Sequence, residues 1–232
     1  MKRREFVTGC GALAGIAALE GTCGATFLEA GEPRVQPGPR VQLAVEGKTP
    51  LKASQLVPHK TYVFLYPFET TPCFLLDVGG AVPGVRVALG RNGVGYEWAG
   101  GVGKERSIVA YSAICSHAYT HPTRESAMIH YFPPEQPSTL AQRASVITCC
   151  AHGSAFDPRR GAISLQPPAE IPLAAVVLEW EAGTDTLWAA GVVGHPVFEE
   201  FFKSFPRNAR REVGKVTPVW ELERYSRTVI PC

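Results

Sequence analysis

Two short runs of this chain combine thiols with imidazoles: Cys115-Ser116-His117, and further on Cys149-Cys150-Ala151-His152-Gly153-Ser154-Ala155-Phe156. A C-x-H followed by a C-x-x-H supplies two thiolates and two neutral imidazoles, which is a metal-ligand set. Two chemistries accept it. Tetrahedral zinc takes two cysteines and two histidines. A [2Fe–2S] cluster takes the thiolates of Cys115 and Cys149 on one iron and the imidazoles of His117 and His152 on the other. The residues after the second pair favour the cluster. Gly153 permits a backbone turn with positive φ close to the inorganic sulfides, and the Ser154 hydroxyl can donate to one of them. Zinc gives no reason for Gly-Ser at that point.

Histidine ligation matters for the driving force. Neutral imidazoles replace two anionic thiolates, so the oxidised centre carries less negative charge and accepts an electron more readily. Such centres span about −150 to +300 mV, against roughly −400 mV for all-cysteine plant-type clusters. Oxidation also makes the remaining ring protons of His117 and His152 easier to lose, so the potential should fall as pH rises. The two histidines are expected at a solvent-facing tip, where electrons enter or leave. No nucleophile–base constellation accompanies them, so independent catalysis is not expected of this chain.

The elements that must hold these residues read as strands. At 232 residues, with 20 prolines, 23 glycines and two methionines, the chain suits one loop-rich β domain, or one domain with a small subdomain. Short apolar runs at Thr61–Leu65, Cys73–Val78, Ser107–Tyr111 and Val146–Cys149 have strand character, the last feeding the second ligand pair. Val176–Trp180 and Thr186–Val193 flank Ala182-Gly183-Thr184-Asp185 as a hairpin. Helical spacing is scarce before Phe198–Phe205, which reads as a short amphipathic helix. The expected fold is therefore all-β: an antiparallel β sandwich over 49–194, a cluster-binding subdomain at about 112–162, and an irregular or helical tail over 195–232. The tail is expected to pack on its own domain. Gly90–Gly103 ends in Gly101-Val102-Gly103-Lys104 but lacks the residues of a phosphate-binding loop, and reads as a mobile surface loop. His121 and His130 fall outside the ligand pattern and read as surface residues, with a proton-relay role as the alternative.

The beginning of the chain has a different character. Met1-Lys2-Arg3-Arg4-Glu5-Phe6 and the small-residue apolar run from Val7 to Leu19 resemble a twin-arginine export signal. The run is short for a membrane span of about 20 residues. Residues 1–30 are read as a signal cleaved near Ala25 or Ala30, with a retained membrane anchor as the alternative. A proline-rich linker, 31–48, follows. The implied location is the periplasm. Cys10 and Cys23 then have no role in the mature chain, and Cys73, Cys150 and Cys232 remain for a disulfide that spacing alone does not pair. A net charge of +2 gives no footprint for nucleic acid.

With its C-x-H and C-x-x-H-G-S-x-F pattern the chain resembles the Rieske [2Fe–2S] proteins, which implies a Rieske-type antiparallel β sandwich with a small cluster-binding subdomain. Within them it most resembles the small subunit of arsenite oxidase. That likeness also rests on the twin-arginine start, Tyr66-Pro67 through Thr71-Pro72-Cys73, Val82-Pro83-Gly84, Ile108-Val109-Ala110-Tyr111-Ser112 and Phe156-Asp157. The resemblance implies a non-catalytic electron-transfer subunit. Its partner would be a large molybdopterin and iron–sulfur subunit, in a heterodimer or larger assembly, where the substrate is oxidised. Its acceptor would be a cytochrome c-type or quinone-linked carrier. The chain departs from the family in a longer stretch between the ligand pairs, residues 118–148, and in the tail beyond 194. The alternative reading is the Rieske subunit of a quinol-oxidising cytochrome bc complex. Against it, Phe156 stands where the bc type carries a sulfur-bonding tyrosine, and Thr120 and Ala151 stand where it carries an inter-loop disulfide. The potential implied is in the middle or lower part of the range.

Overall fold

Alternating apolar side chains dominate the sequence, and the backbone follows them. The computed structural model describes residues 36–232 apart from 47 and 91–93. The export signal, Cys10, Cys23 and residues 31–35 lie outside the described residues. In chain order the strands begin β1 (Gln36–Val45), β2 (Thr49–Pro50), β3 (Thr61–Leu65), β4 (Pro72–Asp77), β5 (Val85–Ala88), β6 (Gly95–Trp98) and β7 (Ile108–Ser112). Then come β8 (Ser126–Ala127), β9 (Ile129–Phe132), β10 (Val146–Cys149), β11 (Ala155–Asp157), β12 (Ile163–Gln166), β13 (Ala175–Glu181) and β14 (Thr186–Val193). The tail holds α1 (Val197–Ser204), β15 (Val216–Glu221), α2 (Leu222–Tyr225) and β16 (Thr228–Val229).

The main sheet runs β14-β13-β7-β4-β3-β15-β1-β2, and β14 also pairs with β1. The two layers of a sandwich are thus one sheet closed on itself. Its neighbours are antiparallel except β1 and β15, which run parallel. Side chains alternate across each strand. Phe64, Leu75 and Ala110 join Val41, Leu43, Leu187 and Ala189 in one buried cluster. Val63, Phe74, Leu76, Val109 and Tyr111 face the other way, into a second cluster with Ile129, Ile147 and Phe156. That second cluster is where the barrel supports the subdomain. The subdomain sheet runs β12-β11-β10-β9 and contains Cys149 at the end of β10. The insertion between the ligand pairs supplies its edge strand β9.

Three expectations need correction. The proline-rich linker ends earlier than read: from Gln36 the chain is β1, paired on both sides. Val41 and Leu43 alternate inward and are fully buried, while Pro37 lies where the β1–β14 register shifts. A proline that donates no hydrogen bond is tolerated at such an irregularity. The barrel therefore extends beyond 49–194 at both ends, taking in β1 and β15. Second, Gly90–Gly103 is not wholly a surface loop. Gly95–Trp98 is a strand paired with β5, and Tyr96 and Trp98 are buried at alternate positions. Gly95 is needed because a Cβ there would run into the Val87 carbonyl oxygen. Third, His130 is buried, with its ring stacked on Phe132 and Nε2 3.0 Å from the Ile230 carbonyl oxygen. The tail packs on its own domain, with α1 laying Val197, Phe198, Phe201 and Phe202 onto the barrel cluster.

Candidate metal centre

Both cysteine–histidine pairs sit on six-residue loops closed in the same way. In Cys115–Thr120 the Cys115 N–H donates to the Thr120 carbonyl (2.8 Å), and the Tyr119 N–H donates to the Cys115 carbonyl (2.9 Å). In Cys149–Ser154 the Cys149 N–H donates to the Ser154 carbonyl (2.8 Å), and the Gly153 N–H donates to the Cys149 carbonyl (2.8 Å). The fifth residue of each loop turns with positive φ, +56° at Tyr119 and +87° at Gly153. Left-handed backbone favours glycine, so Tyr119 is the costlier of the two. The sixth residue of each is a hydroxyl, Thr120 or Ser154.

The loops place like with like. Cys115 and Cys149 are buried, 1% and 0% exposed, and the Cys115 thiol donates to the Cys149 sulfur. That hydrogen bond, with the N–H groups of Ala151 and His152 and the Thr120 hydroxyl, holds Cys149 well below the usual thiol range. Cys115 keeps the proton and is pushed up by it and by desolvation, against the N–H groups of His117 and Ala118. His117 and His152 lie on the exposed side, their ring centroids 5.0 Å apart and nearly perpendicular. The four side chains thus form a thiol pair and an imidazole pair. Among the described residues no three His, Cys, Asp or Glu side chains gather round a single point.

A third segment, which sequence reasoning did not single out, braces both loops. Ser116 Oγ donates to the Ile171 carbonyl, and the Gln166 side-chain amide donates to the Gly153 carbonyl. The Ala169 N–H donates to Ser154 Oγ at 3.0 Å, which orients that buried hydroxyl and leaves its own proton without an acceptor among the described residues. The signal in the sequence was Pro167-Pro168 beside a strand end. Phe156 is fully buried in the cluster that contains both thiols. Cys150 is disulfide-bonded to Cys232, and Cys73 is a free, buried thiol inside the barrel. A cleft of about 760 Å³ lies between the insertion and the tail, lined by His59, His130 and Tyr131, and none of the four candidate ligands lines it.

His121, read as a surface residue, is half-buried against Phe201 and Phe205, with Nδ1 2.8 Å from the Tyr119 carbonyl oxygen. Burial lowers its proton affinity more than that hydrogen bond raises it. The unfolded chain therefore binds this proton more readily than the native one. Its share of stability is complete above pH ~6.5 and is lost as pH falls from there toward the lowered native value, at up to ~1.4 kcal/mol per pH unit. Urea midpoints at pH 7.5 and 5.5 should differ less in His121→Gln than in the wild type. Equal losses in both proteins would refute this.

A buried thiol pair, ringed by N–H donors, beside an exposed imidazole pair fits a [2Fe–2S] group with two ligand types. The fold and the site together define a small iron–sulfur protein. The model of the family described as the Rieske [2Fe-2S] domain matches residues 84–176, a span that holds all four side chains. The matched span is that of a Rieske [2Fe–2S] domain, and the cofactor that this domain implies is a Rieske cluster. Among solved structures, the chain is similar to the soluble domain of the Rieske protein II (soxF) from Sulfolobus acidocaldarius. Identity is 26% and TM-score 0.47, over 67% of this chain and 78% of that one.

Proposed function

We propose that the protein is an exported electron-transfer subunit in which Cys115 and Cys149 hold one iron of the cluster and His117 and His152 hold the other. Electrons would come from a large molybdopterin and iron–sulfur subunit of the arsenite-oxidase type. They would leave to a periplasmic cytochrome c-type or quinone-linked acceptor. The observation that carries the electron-transfer reading is the gradient of exposure across the site, from buried thiols to exposed imidazoles. When bound, the cluster accepts and returns one electron.

The chain's own residues set how easily that happens. The N–H groups of His117, Ala118, Ala151 and His152 and the Thr120 hydroxyl face the sulfurs and offset their negative charge, while the barrel wall keeps water from them. His117 and His152, both exposed, would be the side chains an incoming partner meets. The disulfide between Cys150 and Cys232 suits an oxidising compartment and supports export. No helix among the described residues is long and apolar enough to cross a membrane.

The absence of a hydroxyl at Phe156 and of cysteines at Thr120 and Ala151 favours the arsenite-oxidase-like partner over a bc complex. Phe156→Tyr should therefore raise the potential, on the order of 60 mV if the new hydroxyl favours the reduced state tenfold, since 59 mV is a tenfold change for one electron. An unchanged potential with an intact EPR spectrum would count against the role assigned to this position. The reading as a whole is tested by an EPR-monitored redox titration of the mature protein at several pH values. A signal that appears on reduction, with a potential falling at alkaline pH, is expected. A protein that binds stoichiometric zinc and no iron under cluster-competent expression would overturn it. Co-elution of a molybdenum-containing large chain from periplasmic extract is the matching test for the partner.

A further inference from the structure

The two ligand loops have no disulfide between them, yet the tail beyond residue 194 reaches each. At the first loop, the Tyr119 hydroxyl donates to Glu200 Oε2 at 3.1 Å, and His195 Nε2 holds the same oxygen at 2.7 Å. Beside it, the His121 ring stands edge-on to Phe201 with centroids 5.1 Å apart. Both phenylalanine and glutamate belong to α1, whose apolar face is fixed on the barrel. The chain then crosses the barrel as β15, between β3 and β1. After α2 it reaches the second loop and the insertion beside it. There β16 pairs with β8, the Ile230 N–H donates to the Ala127 carbonyl (2.9 Å), and the Thr139 N–H donates to the Cys232 carbonyl (2.8 Å). Cys232 is bonded to Cys150, the residue after Cys149.

We propose that this tail is a clamp that positions both ligand loops, taking the place of a direct link between them. The inference rests on the ligand assignment above. Cys150 is bonded to Cys232 and not to the first loop. Cys232 lies in a segment that pairs with β8 and follows the barrel strand β15 through α2. Tyr119, with its left-handed backbone, is held by a carboxylate whose helix is packed on the same barrel. Each loop is thus tied to the same tail, which α1 and β15 anchor on the barrel. Cys150, Cys232, Tyr119 and Glu200 are positioning residues: none is a ligand.

The test is hydrogen exchange on the full mature chain, comparing wild type with Cys150→Ser/Cys232→Ser and, separately, with Tyr119→Phe. The serine pair should speed exchange of the 149–154 amides at least tenfold while the amides of β3, β4 and β7 keep their rates. Tyr119→Phe should speed exchange at 117–120 and leave 149–154 unchanged. Because exchange is read whatever the iron content, it separates the clamp from the ligand assignment, which iron and sulfide analysis of the same wild-type sample tests. In protein that holds the cluster, the serine pair should also release iron to a chelator at least tenfold faster, well below the unfolding temperature. Unchanged loop exchange, or an increase spread evenly over the barrel, would overturn the clamp.

Discussion

Cys149→Ser is expected to abolish the cluster and leave the barrel folded. At neutral pH a serine hydroxyl is neutral, whereas the structure surrounds the Cys149 sulfur with donors that favour the thiolate and do not depend on Cys115: the N–H groups of Ala151 and His152 and the Thr120 hydroxyl. Losing one of the four proposed ligands removes the anion those donors are arranged around. Iron and acid-labile sulfide per chain should fall more than tenfold, with loss of visible absorbance and of the reduced-state EPR signal. Far-UV circular dichroism should be unchanged, because the main sheet does not include β10. Cys73→Ser is the control. That thiol lies inside the barrel, where it donates to the Tyr66 carbonyl at 3.1 Å and desolvation pushes it well up. Retention of a full cluster by Cys149→Ser, or its loss in a folded Cys73→Ser, would sink the assignment.

Tyr111→Ala should give the largest loss of stability among single substitutions at the junction of barrel and subdomain. The ring is fully buried on the outer face of β7, 5.8 Å from Trp98 between centroids. Its hydroxyl donates to the Pro158 carbonyl at 2.7 Å, just after β11. Removing an aromatic side chain from a packed site costs about 3–5 kcal/mol through lost burial and the cavity left behind. Tyr111→Phe keeps the ring and orphans only the carbonyl, for about 1–3 kcal/mol. Urea midpoints of the three proteins, with m unchanged, should rank in that order. A Tyr111→Phe loss equal to that of Tyr111→Ala would mean that the hydrogen bond, rather than the ring, joins the two parts.

The two cysteine–histidine loops and most of the barrel were legible in the sequence because they depend on local spacing. Thr61–Leu65, Val146–Cys149 and Thr186–Val193 are strands with the bounds their apolar runs suggest. What escaped depends on contacts between distant residues. Val41 and Leu43 read as part of a proline-rich linker until β14 and β15 are present to pair with them. Tyr96 and Trp98 were hidden among glycines, whose role is to let β5 and β6 approach. The pairing of Cys150 with Cys232 could not be chosen from three candidate cysteines, because it is set by the path of β15 and β16. Thr120 was visible only as a missing cysteine, yet its hydroxyl reaches the opposite thiol.

The parallel pairing of β1 with β15 has a kinetic meaning. Residues 42–45 lie against 216–219, so the wall closes through one of the longest-range contacts available to this chain. Such closures carry a large entropy cost before any contact rewards them, and topologies rich in them fold slowly. The hairpin β13–β14 and the meander β3–β4–β7 can form early, from neighbours in sequence or nearly so. Until β15 slots between β3 and β1, however, both of those strands keep an unpaired edge. Nascent or partly unfolded chains should therefore be most prone to strand exchange and self-association at that seam.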